Sequence, residues 1–100
     1  MYDKLQIYGD DYDTHDGTCI RDYIHVSDLS EGHIASFKKF DNPGLYIYNL
    51  GSGHGTSVFQ LIDSYQKVND IQIPYEISQR RKGDLPILLA DVTKAKLELE

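Results

Sequence analysis

At 100 residues, with 40% hydrophobic side chains and a formal charge of −6, the sequence allows one small domain with a core of its own and excludes wholesale disorder. Sixteen acidic against ten basic residues give no field for a phosphate backbone, so nucleic acid is not an expected partner. No apolar run approaches the roughly 20 residues that cross a bilayer, Met1-Tyr2-Asp3-Lys4 has no apolar stretch behind it, and the single cysteine, Cys19, suits a reducing compartment; no membrane is expected and the cytoplasm is the expected location.

In chain order, Lys4 to Tyr8 alternates polar and apolar residues, as a short strand does. Residues 9–17 are rich in turn formers and read as a loop. Tyr23 to Val26 is a second strand candidate, and Ser27 is expected to cap a helix that Asn42-Pro43-Gly44 stops. Leu45 to Leu50 is nearly continuous apolar and aromatic, which predicts a buried strand whose sheet lies partly elsewhere. After Gly51-Ser52-Gly53-His54-Gly55, Ser57 and Gln60 have capping-box spacing, and Val58, Leu61, Ile62, Tyr65 and Val68 mark one helical face. Residues 71–78 alternate as an edge strand with Pro74, residues 87–90 read as another strand, and Asp91 is expected to cap a last helix. Strands alternate with helices: the fold class is α/β, a small mixed sheet with about three helices.

Of three arginines, two stand in Arg80-Arg81-Lys82 and the third is Arg21, a distribution that fits a local anion site as readily as solvated surface charge. Gly51-x-Gly53-x-Gly55 falls short of a dinucleotide fingerprint because position 56 is threonine; a tight turn explains it better. The acidic loop lacks the glycine and glutamate of a calcium loop, with Asp16 and Asp22 in their places, and His15, His25, His33 and His54 have no zinc-ligand spacing with Cys19, so no metal is expected. None of the eight tyrosines has lysine four residues on, and no G-x-S-x-G elbow is present. Whatever reaction this chain assists, that tyrosine base is not in it.

Three stretches carry a resemblance. Leu5-Gln6-Ile7-Tyr8-Gly9-Asp10-Asp11-Tyr12-Asp13-Thr14, continuing through Asp16-Gly17-Thr18 and Ile20-Arg21-Asp22-Tyr23-Ile24-His25-Val26 to Asp28-Leu29, closely resembles the UDP-glucose 4-epimerases. So do Gly32-His33-Ile34-Ala35 with Ile47-Tyr48-Asn49-Leu50-Gly51, and Pro74-Tyr75-Glu76 with Arg80-Arg81-Lys82-Gly83-Asp84. The resemblance spans the chain and is to the C-terminal part of that family, within the extended short-chain dehydrogenase/reductases. It implies one substrate-binding portion over 1–100, with the NAD-binding domain and the catalytic residues in a preceding N-terminal part. The parent it implies is an NAD-dependent isomerase that interconverts UDP-glucose and UDP-galactose by oxidation and reduction at C4.

By the same resemblance Arg21 and Arg81 would clasp the diphosphate, Asp84 would accept from the ribose, and Tyr23 would pack near the nucleotide. Leu5, Gln6, Ile7 and Tyr8 would line the uracil, largely by backbone contacts and the ring of Tyr8, which stands where the family usually has phenylalanine. Leu88 would gate the bulk of the sugar substituent. Met1 is read as a cut through a longer polypeptide, and the family's usual tryptophan just past Glu100 is absent. Such a piece is expected to expose apolar surface and a strand edge and so to self-associate, a clean monomer by light scattering being the contrary result. Two other readings stand beside this one: another sugar-nucleotide epimerase or dehydratase, and a free-standing nucleotide-binding or association module.

Overall fold

The computed structural model describes residues 3–100; Met1 and Tyr2, half of the start read for a signal peptide, lie outside the described residues. The architecture is α/β with three α-helices, as expected, but the described strands form two small sheets in place of one. The chain divides into two compact units. The first runs to Arg21 and resumes over Gly55–Leu88; the second comprises Asp22–His54 and Leu89–Glu100.

In the first unit β1 (Leu5–Tyr8) pairs in parallel with β4 (Tyr75–Ser78), in a register running from Leu5 opposite Tyr75 to Tyr8 opposite Ser78. Pro74 sits just before β4, where its missing N–H costs nothing, and its carbonyl accepts from Leu5 N at 2.9 Å. The expected strand over 71–78 is therefore real only in its second half. The second sheet is mixed, with β2 (Ile20–Arg21) antiparallel to β3 (Thr56–Ser57) and parallel to β5 (Ile87–Leu88), so Arg21 stands beside Leu88.

Helix α2 (Val58–Asn69) begins at the expected capping box: Ser57 Oγ accepts from Gln60 N at 3.1 Å, and Ser57 N donates to Gln60 Oε1 at 2.9 Å. The loop over residues 9–19 completes that helix start. Val58 N donates to the Cys19 carbonyl at 3.2 Å and Phe59 N to Thr18 Oγ1 at 3.4 Å. Asp16 anchors the arrangement, accepting from Thr18 N at 2.9 Å, from Thr18 Oγ1 at 2.7 Å and from Ser57 Oγ. Ile7, Tyr12, Cys19 and Ile62 are the buried apolar side chains of this unit, with Thr18 and Ser57 fully buried among them.

In the second unit α1 (Val26–Ala35) starts after His25, whose Nδ1 accepts from Ser27 N at 3.1 Å, so the cap lies two residues before the serine expected from sequence. The strand expected over Tyr23 to Val26 is absent: pairing stops at Arg21, and Val26 already belongs to the helix. A 3-10 turn, Ser36–Lys39, ends the helical stretch. Leu45 to Leu50 is neither a strand nor buried, and Leu45 is 87% exposed. A strand needs a neighbour to complete its ladder, and the second unit offers this segment none among the described residues. Helix α3 (Thr93–Leu99) turns Ala95 and Leu99 inward beside Val92, and its cap is Val92 in place of the expected Asp91, which stands one residue earlier and accepts from Thr93 N at 3.1 Å. Among the described residues no helix is long and apolar enough to cross a membrane.

Candidate functional site

The residues singled out for an anion converge in the first unit. A turn carries two of them: Asp84 N donates to the Arg81 carbonyl at 3.4 Å, and Gly83 takes φ +91°, a backbone conformation that a side chain would strain. The turn folds Arg81 back on Asp84, with Nε 3.0 Å from Oδ2. The other carboxylate oxygen, Oδ1, lies 3.9 Å from Arg21 Nη2, so Asp84 bridges the two arginines. The Asp84 hydrogen bond holds the Arg81 guanidinium above its ordinary pKa, so its charge is fixed at any working pH.

Arg21 is held from behind. Its Nη1 donates to the carbonyls of Ile20 at 2.9 Å and Leu85 at 2.7 Å, and its side chain is only 23% exposed. Arg81 is 61% exposed and lies over the Tyr8 ring at 4.9 Å, a cation–π contact. One arginine is thus preorganised by strand backbone and the other is steered by an aromatic face. Their planar N–H forks suit the oxygens of a phosphate.

The end of β1 adds a second kind of surface. Leu5 N and Gly9 N reach the carbonyls of Pro74, just before β4, and Ser78, at its end, so the alternation of a strand turns the N–H and C=O groups of Gln6 and Tyr8 toward the other edge of β1. That edge has no strand partner among the described residues. Ile7 is 1% exposed and serves the core, so its side chain cannot line a ligand. The Gln6 side chain is committed as well, its Nε2 donating to Glu76 Oε1 at 2.6 Å and its Oε1 accepting from Ser78 Oγ. What β1 presents is backbone together with the exposed side chains of Leu5 and Tyr8. Leu88, on β5 next to Arg21, is 54% exposed.

Other expected features go elsewhere. Arg80 turns away from Arg81: its Nε donates to Asp11 Oδ1 at 2.8 Å, and its guanidinium covers the Tyr12 ring at 4.1 Å. Tyr23 belongs to the second unit, with its ring exposed. The glycine turn already holds an anion, because the Asp22 carboxylate accepts from Ser52 N at 2.8 Å, Ser52 Oγ at 2.7 Å and Gly53 N at 2.9 Å, with Gly53 at φ +78°. These bonds, the Ser52 hydroxyl first, hold the Asp22 carboxyl below its ordinary pKa. Among the described residues no group of acidic, histidine or cysteine side chains is arranged to hold a metal. Sequence reasoning missed Asp16 and Asp22 as internal anions; the only signal was an acidic residue two positions before Thr18 and one just after Arg21.

No family model matches the chain. Among curated proteins, the UDP-glucose 4-epimerase of Bifidobacterium longum is 52% identical over 96 residues, covering 96% of this chain and 28% of that relative's length. The crystal structure of the same bacterium's enzyme, in complex with NAD+ and UDP, superposes with a TM-score of 0.90 over 96% of this chain and 29% of its own. The UDP-Glc/GlcNAc 4-epimerase of Campylobacter jejuni is 43% identical, with a TM-score of 0.82 over 97% of this chain and 30% of its own. The chain thus spans under a third of the length of the proteins it matches. In sequence and in fold, it matches the C-terminal portion of the UDP-glucose 4-epimerases.

Proposed function

We propose that the chain is the UDP-sugar-binding portion of a UDP-glucose 4-epimerase, an NAD-dependent isomerase of galactose metabolism in the cytoplasm. The observation that carries this reading is the Arg21–Asp84–Arg81 cluster beside Tyr8, on a chain 52% identical to an epimerase whose crystal structure contains UDP. In it Arg21 and Arg81 bind the diphosphate, Asp84 accepts from the ribose hydroxyls, and the free backbone edge of Gln6 and Tyr8 receives the uracil. NAD does not fit this chain's own residues: Thr56 breaks the glycine fingerprint and Asp22 occupies the turn's amides. The cofactor, and with it the C4 chemistry, belongs to the preceding N-terminal portion, so the 100-residue chain alone does not turn over UDP-glucose.

The test is equilibrium binding. UDP should bind saturably and AMP at least about tenfold more weakly, because a purine cannot make the same contacts with the β1 edge. Equal affinity for the two, or none for UDP, contradicts the reading.

Leu88 is the proposed gate for the sugar substituent, since the register of β2 and β5 puts this half-exposed side chain next to a phosphate-binding arginine. In the longer polypeptide, Leu88→Tyr should lower turnover of UDP-N-acetylglucosamine by about tenfold while sparing UDP-glucose, the size of effect that a modest change in pocket volume produces. Equal loss for both substrates would remove the gating role.

A further inference from the structure

We infer that Asp84 is the residue by which this site discriminates a nucleoside diphosphate from inorganic diphosphate. The inference rests on the proposed function for the nucleotide and for the phosphate and ribose contacts of the cluster. Its physical basis is the cluster itself: an anion already sits between the two cations, with Asp84 Oδ2 3.0 Å from Arg81 Nε and Oδ1 3.9 Å from Arg21 Nη2. Asp84 and Arg21 are about four-fifths buried, so water screens their charges less than it would at an open surface.

An inorganic diphosphate entering this site meets two arginines and one carboxylate. It must either displace Asp84 from Arg81 or lie beside a like charge, and it brings no donor to satisfy the carboxylate. A nucleoside diphosphate carries its own remedy. Its ribose hydroxyls give Asp84 new hydrogen-bond donors, so the carboxylate can leave Arg81 and remain bonded while the phosphates take its place. Arg21 is pinned to the carbonyls of Ile20 and Leu85 and does not yield, so the exchange falls on Asp84 and the exposed Arg81. The carboxylate therefore penalises bare anions and rewards anions attached to a diol, a selection by repulsion as much as by attraction.

The experiment titrates the chain and its Asp84→Asn variant with UDP and with inorganic pyrophosphate. Asparagine keeps the shape and removes the charge. The variant should bind pyrophosphate about tenfold more tightly and UDP no more tightly, so that the ratio of the two affinities shrinks by about tenfold or more. Asp84→Ser, also neutral but smaller, should change pyrophosphate affinity in the same direction. In the unaltered chain the 13C signal of the Asp84 carboxyl should move on saturation with UDP. Unchanged or weaker pyrophosphate binding in a folded variant overturns the inference, and so does a carboxyl signal that stays still with UDP bound; UDP binding by the unaltered chain would then still uphold the proposed function. If UDP fails to bind but pyrophosphate gains affinity in the variants, the nucleotide reading falls and Asp84 remains the barrier to bare anions. If neither ligand binds any of these proteins, both are overturned.

Discussion

Asp16→Ala is expected to destabilise the chain by about 3 kcal/mol, enough to unfold much of a domain this small. The carboxylate accepts three hydrogen bonds, all from Thr18 and Ser57, both fully buried. Removing it leaves the Thr18 hydroxyl and amide and the Ser57 hydroxyl with no water to replace the lost acceptor. The damage also spreads: Ser57 is the cap of α2, and Thr18 receives the Phe59 amide, so the helix start loosens together with the loop. Urea unfolding should show the midpoint fall, and a loss below about 1 kcal/mol would mean that the network is not what fixes the loop.

The same group sets the acid sensitivity. Burial pushes the Asp16 carboxyl up, but the hydrogen bonds from Ser57 and Thr18, with His15 nearby, more than offset this and leave it below its ordinary value of 3.8. A carboxylate with a depressed folded value contributes stability that is fully present above the ordinary value and is lost as the pH falls below it. Stability should therefore drop as the pH is lowered through 3.8 toward the depressed folded value, and the Asp16→Ala variant should lack part of that drop.

Arg21→Ala is expected to weaken UDP binding by about a hundredfold, the scale of one or two charge-assisted hydrogen bonds lost together with their preorganisation. Arg21 reaches the site already fixed by two backbone carbonyls, so little freedom is lost when a phosphate arrives. Lysine should rescue poorly. A single ammonium cannot hold the Ile20 and Leu85 carbonyls and present a fork to a phosphate at once. Arg81→Ala should cost about tenfold less than Arg21→Ala, because Arg81 is mostly exposed and held by Asp84 and the Tyr8 face alone. Calorimetric titration measures both, and an Arg21→Ala affinity within threefold of the unaltered chain would contradict the assignment.

The parts of this structure that follow local rules were legible. The capping box at Ser57 and Gln60 predicted the start of α2 to the residue, and period-two alternation predicted β1. The expected cap at Asp91 missed by one residue: Val92 is the cap, and Asp91 makes a local Asx bond to the next amide but one. What else failed depended on partners. Leu45 to Leu50 has the composition of a buried strand, yet its own unit supplies no ladder to join, so the segment is open and Leu45 lies in solvent. The Tyr23 to Val26 stretch is similar: β-branched and aromatic residues favour a strand, but pairing with β3 and β5 ends at Arg21.

The wiring of the candidate site was not legible in the sequence. The clustering of three arginines at two places suggested an anion, and the structure brings Arg21 and Arg81 together through Asp84. Nothing in the spacing of residues 21 and 84 announces that bridge, since it depends on the parallel pairing of β2 with β5 and on the turn at Gly83. The same pairing supplies the Leu85 carbonyl that pins Arg21, a main-chain group that no side-chain pattern reveals.

UDP is expected to bind where Arg21, Arg81, Asp84 and the β1 edge meet, and a residue-resolved NMR titration of the chain with UDP measures this. Saturable shifts should concentrate at Gln6, Tyr8, Arg21, Arg81, Asp84 and Leu88 and be lost in Arg21→Ala. Shifts centred on the Gly51–Gly55 turn, or no saturable shift at all, would contradict it.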